Sequence, residues 1–178
     1  MKMNRIASLI FGVVMPALAL HNTAQAAAAS AKFGSKWQAL VGEWNAENAS
    51  GGNSGACGFH LDLADHIIVR TNHVVVTPAG GGAASAHDDL MVIYPATPED
   101  KGKAIYFDNE SHVIEYDAEW SADGNTLTFL SKPGAGPQFR LIYKKAEAKS
   151  FDVTFEMTAP GQTTFKLYTS GKMKRERN

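Results

Sequence analysis

The chain has 178 residues, 44% of them apolar, 10% aromatic and 20% charged, with 16 Gly, 7 Pro, one Cys and a formal net charge of −1. This composition suits one globular domain with a real core and is short for two. The near-zero charge excludes a strongly basic nucleic-acid binder, and one cysteine excludes a disulfide scaffold and a cysteine-based zinc site.

Lys2 and Arg5 precede a largely apolar run from Ile6 to Leu20, and Ala24-Gln25-Ala26 follows it. A positive start, a short apolar middle and small residues at the −3 and −1 positions form the tripartite pattern of a secretory signal. The run contains Pro16 and falls short of the roughly 20 residues that span a bilayer. Residues 1–26 are therefore predicted to be a signal peptide cleaved after Ala26, with an uncleaved anchor as the alternative. No later apolar run approaches membrane length, so a soluble mature chain without a transmembrane segment is expected, periplasmic or secreted. Losing Lys2 and Arg5 leaves that chain modestly acidic, and no cysteine lies close enough behind the run for a lipid anchor.

Residues 27–32 read as an Ala-rich, frayed leader. Phe33, Trp37, Leu40 and Val41 recur at helical spacing, which predicts one short amphipathic helix. Beyond it, short segments rich in Val, Ile, Phe, Tyr and Thr predict strands centred near Trp44, Phe59, Thr71, Met91, Tyr106, Tyr116, Thr128, Leu141, Thr154 and Lys166. Turn chemistry separates them: 51–55, 80–82, 95–102, 109–111, 123–125, 133–137 and Pro160-Gly161. Closely spaced strands with hairpin-length links predict an antiparallel meander, and closure removes its two edges. The expected fold is all-β: a closed or nearly closed up-and-down barrel of about 8–10 strands with a short N-terminal helix. It spans residues 33–174 and leaves 175–178 as the end of a basic tail; a β-sandwich is the alternative.

Alternation shows that the strand faces differ. Phe151, Val153, Phe155 and Met157 oppose Asp152, Thr154 and Glu156, and Phe139, Leu141 and Tyr143 oppose Gln138, Arg140 and Lys144. Glu115, Asp117 and Glu119 share one face opposite Ile114, Tyr116, Ala118 and Trp120. Paired carboxylates can do acid–base work, but a solvated outer face explains them too, and would turn Ile114, Tyr116 and Trp120 inward. Cys57 shares parity with Phe59, Leu61 and Leu63, as a small buried hydrophobe would.

Gly42-Glu43-Trp44, entering the first strand, resembles the G-x-W signature of lipocalins and related calycins. Ser54–Cys57, Val69–His73, His87–Tyr94, Tyr106–Asn109, His112–Ile114 and Phe139–Leu141 together resemble a family of small bacterial lipocalin-like proteins. The resemblance runs from about Leu40 to Lys174. It implies a barrel whose Trp44 packs across the closed end beside Gly42, and whose interior holds an apolar or amphiphilic small molecule. Nitrobindin, a distant relative within that superfamily, holds haem through a late histidine. Here the last histidine is His112, and the Gly-rich stretch after Trp44 departs from the nitrobindin run, so no haem is expected.

No G-x-S-x-G elbow, P-loop or H-E-x-x-H occurs. His87 and Asp89 sit two apart on one face and could share a metal with His73 or His112 as a third ligand, although a lone His-x-Asp is weak and no metal cofactor is expected. Arg70 and Arg140 lie in otherwise apolar strands. A guanidinium inside a barrel needs a partner, and a ligand carboxylate would serve, as in the fatty-acid-binding barrels of this superfamily. A salt bridge to Asp89, Asp108 or Glu156 is the competing explanation.

The leading expectation is a non-enzymatic binding module. Phe59, Tyr106, Tyr116, Trp120 and Phe155 form its walls, Arg70 and Arg140 its anchors, and a small apolar or amphiphilic molecule, with or without a carboxylate, is its partner. A barrel enzyme using His73 or His87 with Asp89, and a ligand-free barrel filled by its own side chains, are the alternatives. Ligand identity and oligomeric state are left open.

Overall fold

The computed structural model describes residues 32–47, 54–78 and 82–176. The signal peptide, nearly all of the leader, the middles of the turns at 51–55 and 80–82, and residues 177–178 lie outside the described residues.

Ten strands follow one another: β1 (Gly42–Glu47), β2 (Ser54–Asp62), β3 (Ile67–Val76), β4 (Ser85–Pro95), β5 (Lys101–Asp108), β6 (Val113–Trp120), β7 (Thr126–Ser131), β8 (Gln138–Glu147), β9 (Ser150–Thr158) and β10 (Lys166–Arg175). Each pairs antiparallel with its neighbours in sequence, and β1 pairs with β10 (Trp44 opposite Arg175), so the sheet closes into an up-and-down barrel. Each predicted strand centre falls within its strand. Closure pairs every strand on both sides and removes the edges an open meander would present.

The expected N-terminal helix is corrected to a single 3-10 turn, Ser35–Ala39. Gly34 at its N-cap offers no side chain to cap it, and the segment is held by tertiary contacts instead of helical ones. Trp37 is fully buried, packs edge-on against Trp120 at 6.1 Å and donates from Nε1 to the Glu99 carbonyl at 3.0 Å. Lys36 Nζ donates to the Ser121 carbonyl at 3.1 Å. The turn is a stopper across one end of the barrel.

Trp44 seals the same end, donating from Nε1 to the Leu40 carbonyl at 2.7 Å. The Arg175 guanidinium lies over its ring at 4.3 Å and donates to the carbonyls of Ala39, at 2.6 Å, and Val41. Gly42 has φ +132°, and a Cβ there would strike this guanidinium; only glycine combines that backbone with that clearance. Arg175, the first residue assigned to the basic tail, is the last residue of the final strand. β10 runs through Arg175, and Lys174 pairs with Glu47 at 3.4 Å.

Inward side chains above the stopper pack as a buried aromatic column. Tyr143 meets Phe59 at 5.8 Å, Phe129 at 6.0 Å and Phe151 at 6.2 Å, all edge-on. The outer face carries charge. Glu115, Asp117 and Glu119 point outward and pair with Lys132, Lys103 and Lys101, which leaves Ile114, Tyr116 and Trp120 inward. No helix among the described residues is long and apolar enough to cross a membrane.

The β6–β7 turn shows one electrostatic consequence. Asp123 accepts hydrogen bonds from Ser121 Oγ (2.5 Å) and from the backbone and side-chain amides of Asn125, which lower its pKa to about 2. An unfolded Asp titrates near 3.9. Depression in the folded state means that the stabilisation is full above about pH 4 and is lost as pH falls through about 2. Asp123→Ala is expected to destabilise the protein at pH 7 and to match the parent near pH 2, as urea titrations across that range would show.

Candidate functional site

The filled column occupies only the stoppered half of the barrel. Inward positions along β10, β1, β2 and β3 in the other half carry small or slender side chains, Gly171, Thr169, Ala46, Gly55, Cys57 and Val74, and enclose a cavity of about 240 Å³. Val153, Phe155, Tyr143 and Met173 complete its apolar wall, and Arg70 and Asn72 supply polar groups. Thr169 and Ala46 face inward yet are exposed, so the lumen opens to solvent where β1 ends and β10 begins.

Arg70 is 7% exposed, which makes its guanidinium the most deeply placed cation of the lumen. Its Nη1 donates to Asp89 Oδ1 at 2.7 Å, and Asn72 Nδ2 donates to the other Asp89 oxygen at 2.8 Å. Antiparallel register sets this up: Asn72 lies opposite Asp89 and Arg70 opposite Met91, so all three face inward on adjacent strands. The pair leaves the lumen electrically balanced. Burial raises the Cys57 thiol pKa against the opposing pull of the Arg70 charge, so the buried thiol stays protonated.

A chain of polar contacts runs from this pair to the rim. His87 Nε2 lies 3.7 Å from Asp89 and 3.0 Å from the Tyr106 hydroxyl, and Tyr106 donates to Asp108 Oδ2 at 3.2 Å. Burial, reinforced by Asp89 and Asp108, raises the pKa of that hydroxyl and keeps it a donor. Asp108 also accepts from His112 Nδ1 at 2.9 Å and from the backbone amides of Glu110 and His112. Its side chain is 3% exposed; burial would raise its pKa, but these hydrogen bonds prevail and lower it. A carboxylate O of Asp108, one of Glu110 and an imidazole N of His87 lie within 4.8 Å of one another.

The structure separates the predicted site residues into several places. Arg70 and Phe155 line the cavity. Phe59, Tyr116 and Trp120 face inward but belong to the filled column, buried at 0–2% exposure, and Tyr106 belongs to the polar rim. Arg140 points outward, where it pairs with Glu156 at 2.5 Å and lies over Phe165; its expected anchor role is corrected, since its parity opposes that of Leu141 and Tyr143. His73 is also outside, paired with Asp88 at 2.6 Å, which leaves only His87 on the same side of the wall as Asp89. A shallow groove of about 570 Å³ runs past Glu43, Gly58, Thr71, Leu90 and Phe107 and shares Ala56, Cys57 and Asn72 with the lumen lining.

Sequence reasoning missed Asn72, Val74, Val153, Gly171 and Thr169 as lining residues. Parity could have supplied Asn72 and Val74, two and four residues beyond Arg70, and Val153, two before Phe155. The glycine and threonine of β10 lie beside a register irregularity between Leu167 and Thr169, which no alternation pattern reveals.

The fold and this interior define the class: a closed ten-stranded antiparallel barrel, stoppered at one end and open at the other, compatible with a calycin-like barrel. No protein-family model matches the chain, and no curated protein matches it.

Proposed function

We propose that the protein is an exported carrier or receptor of lipocalin-like type, holding one small apolar or amphiphilic molecule in the open half of its barrel. The observation that carries this reading is the 240 Å³ cavity, walled by Val74, Val153, Phe155 and Met173 with Arg70 and Asn72 beneath. An apolar cavity of about 150 Å³ already holds a benzene-sized molecule, whereas typical small-molecule pockets begin near 300 Å³. The ligand is therefore compact or slender. Its polar end is uncharged, because Asp89 already neutralises Arg70 and an incoming carboxylate would add an unmatched negative charge beside it. Residues 1–26 fit export, and the ion-paired outer face fits a water-facing surface.

Native mass spectrometry of the protein from the exported fraction of its host tests this. The expected spectrum shows a polypeptide mass beginning at Ala27, with a small neutral adduct released at modest collision energy. A polypeptide still carrying residues 1–26 would overturn export. A bare polypeptide that also takes up no added alkanol would overturn carriage.

A further inference from the structure

We propose that the rim residues His87, Asp108, Glu110 and His112 form a binding site for a divalent transition metal of the zinc class. The site does not depend on what fills the lumen. Tyr106 has a single hydroxyl proton and donates it to Asp108 Oδ2, so its 3.0 Å contact with His87 has Nε2–H of the imidazole as donor. That assignment leaves His87 Nδ1 as the ring nitrogen that accepts once deprotonated, as a metal ligand must be. It faces Glu110 Oε1, a second acceptor, at 3.8 Å.

The gap is too long for an N–H···O hydrogen bond between the two groups. A separation of 3.8 Å suits two bonds of about 2.0–2.2 Å to one ion. Asp108 adds a third donor: its oxygen lies within 4.8 Å of both other ligand atoms. Its side chain is 3% exposed and its charge partner is His112, with no lysine or arginine among the described residues pairing with it or with Glu110. Buried carboxylates are normally paired with fixed cations or bound to metals. Asp89, one strand away, has Arg70; Asp108 accepts hydrogen bonds from Tyr106, His112 and two backbone amides but has no fixed cation among the described residues. His112 Nδ1 stands 2.9 Å from Asp108 Oδ2 and 3.8 Å from Glu110 Oε2, and becomes the fourth donor when its hydrogen bond to Asp108 gives way to the ion.

Two imidazoles with two carboxylates suit zinc or its neighbours, whereas calcium and magnesium prefer oxygen alone. The site joins the start of β4, the end of β5 and the turn between β5 and β6. Tyr106, bonded to both His87 and Asp108, orients two of the ligands as an outer-sphere partner.

The test is calorimetric titration of the untagged chain with Zn²⁺ alone, paralleled by Co²⁺ absorption for tetrahedral coordination. One equivalent is expected to bind and to resist millimolar Mg²⁺. His87→Ala and Glu110→Gln should each weaken binding by more than about tenfold, and the exposed turn position of Glu110 keeps that variant folded. His73→Ala, which breaks the outer-face pair with Asp88, should leave affinity unchanged. Absence of saturable binding, or equal weakening by His73→Ala and His87→Ala, would overturn the site.

Discussion

Trp37→Ala is expected to remove about 3–5 kcal/mol of stability, the range for truncating a buried tryptophan. Trp37 is fully buried, touches Phe33 and Trp120, and holds the Glu99 carbonyl through Nε1. Its six-membered ring also lies against Gly102, where an added Cβ would come within 2.9 Å, so the neighbouring strand is shaped to it and cannot collapse inward without bending. For a domain of this size, each kcal/mol shifts Tm by roughly 2–4 °C, which puts the expected fall near 10 °C. Trp37→Phe should lie between variant and parent, since it keeps most of the apolar contact and loses the hydrogen bond. A loss below about 1 kcal/mol for Trp37→Ala, measured by urea unfolding, would mean that the N-terminal turn rests on a barrel already closed without it.

Asp89→Ala is expected to cost about 3–5 kcal/mol, because it strands the Arg70 guanidinium in a wall of apolar side chains. Both side chains are under a tenth exposed, so water screens the pair little. The double variant Arg70→Met with Asp89→Leu should recover much of that loss, since replacing both partners leaves no uncompensated charge. The sign of the double-mutant coupling is the decisive readout. Arg140 offers the contrast on the outside: it is a third exposed, and Arg140→Ala should cost about 1 kcal/mol or less. If the double Arg70/Asp89 variant is as unstable as the worse single one, the pair is not a self-contained charge unit, and the inference of an uncharged ligand end loses its basis.

Much of the fold was legible because the signals were local. β-rich segments located all ten strands, with turn residues marking most but not all of the links between them, and the alternation of Glu115, Asp117 and Glu119 against Tyr116 and Trp120 oriented β6. Helical spacing at Phe33, Trp37 and Leu40 misled for a physical reason: those residues are apolar because they plug a barrel end, and a stopper needs one turn, not a helix. Arg140 shows the limit of composition. An arginine in an apolar strand reads alike on either face, and only the parity of Leu141 and Tyr143, once known to be inward, puts it outside. The rim cluster was half visible: His87 and His112 were singled out, and Asp108 and Glu110 meet His112 within one turn, but only the β4–β5 register brings His87 to them. Which aromatic side chains fill the lumen and which line a space depends on depth along the barrel axis, a coordinate that parity does not contain.

One half of this barrel is solid and the other hollow. Fluorescence titration with 1-aminoanthracene, an uncharged probe with one polar end, tests it in the parent, in Val153→Trp and in Arg140→Ala. Val153 lines the cavity, so a bulky ring there should fill it and weaken binding by more than tenfold, given that a methylene alone is worth about 0.8 kcal/mol of burial. Arg140, outside the wall, should leave affinity unchanged. Equal binding by parent and Val153→Trp, with both folded, would place the probe elsewhere and contradict a hollow lumen.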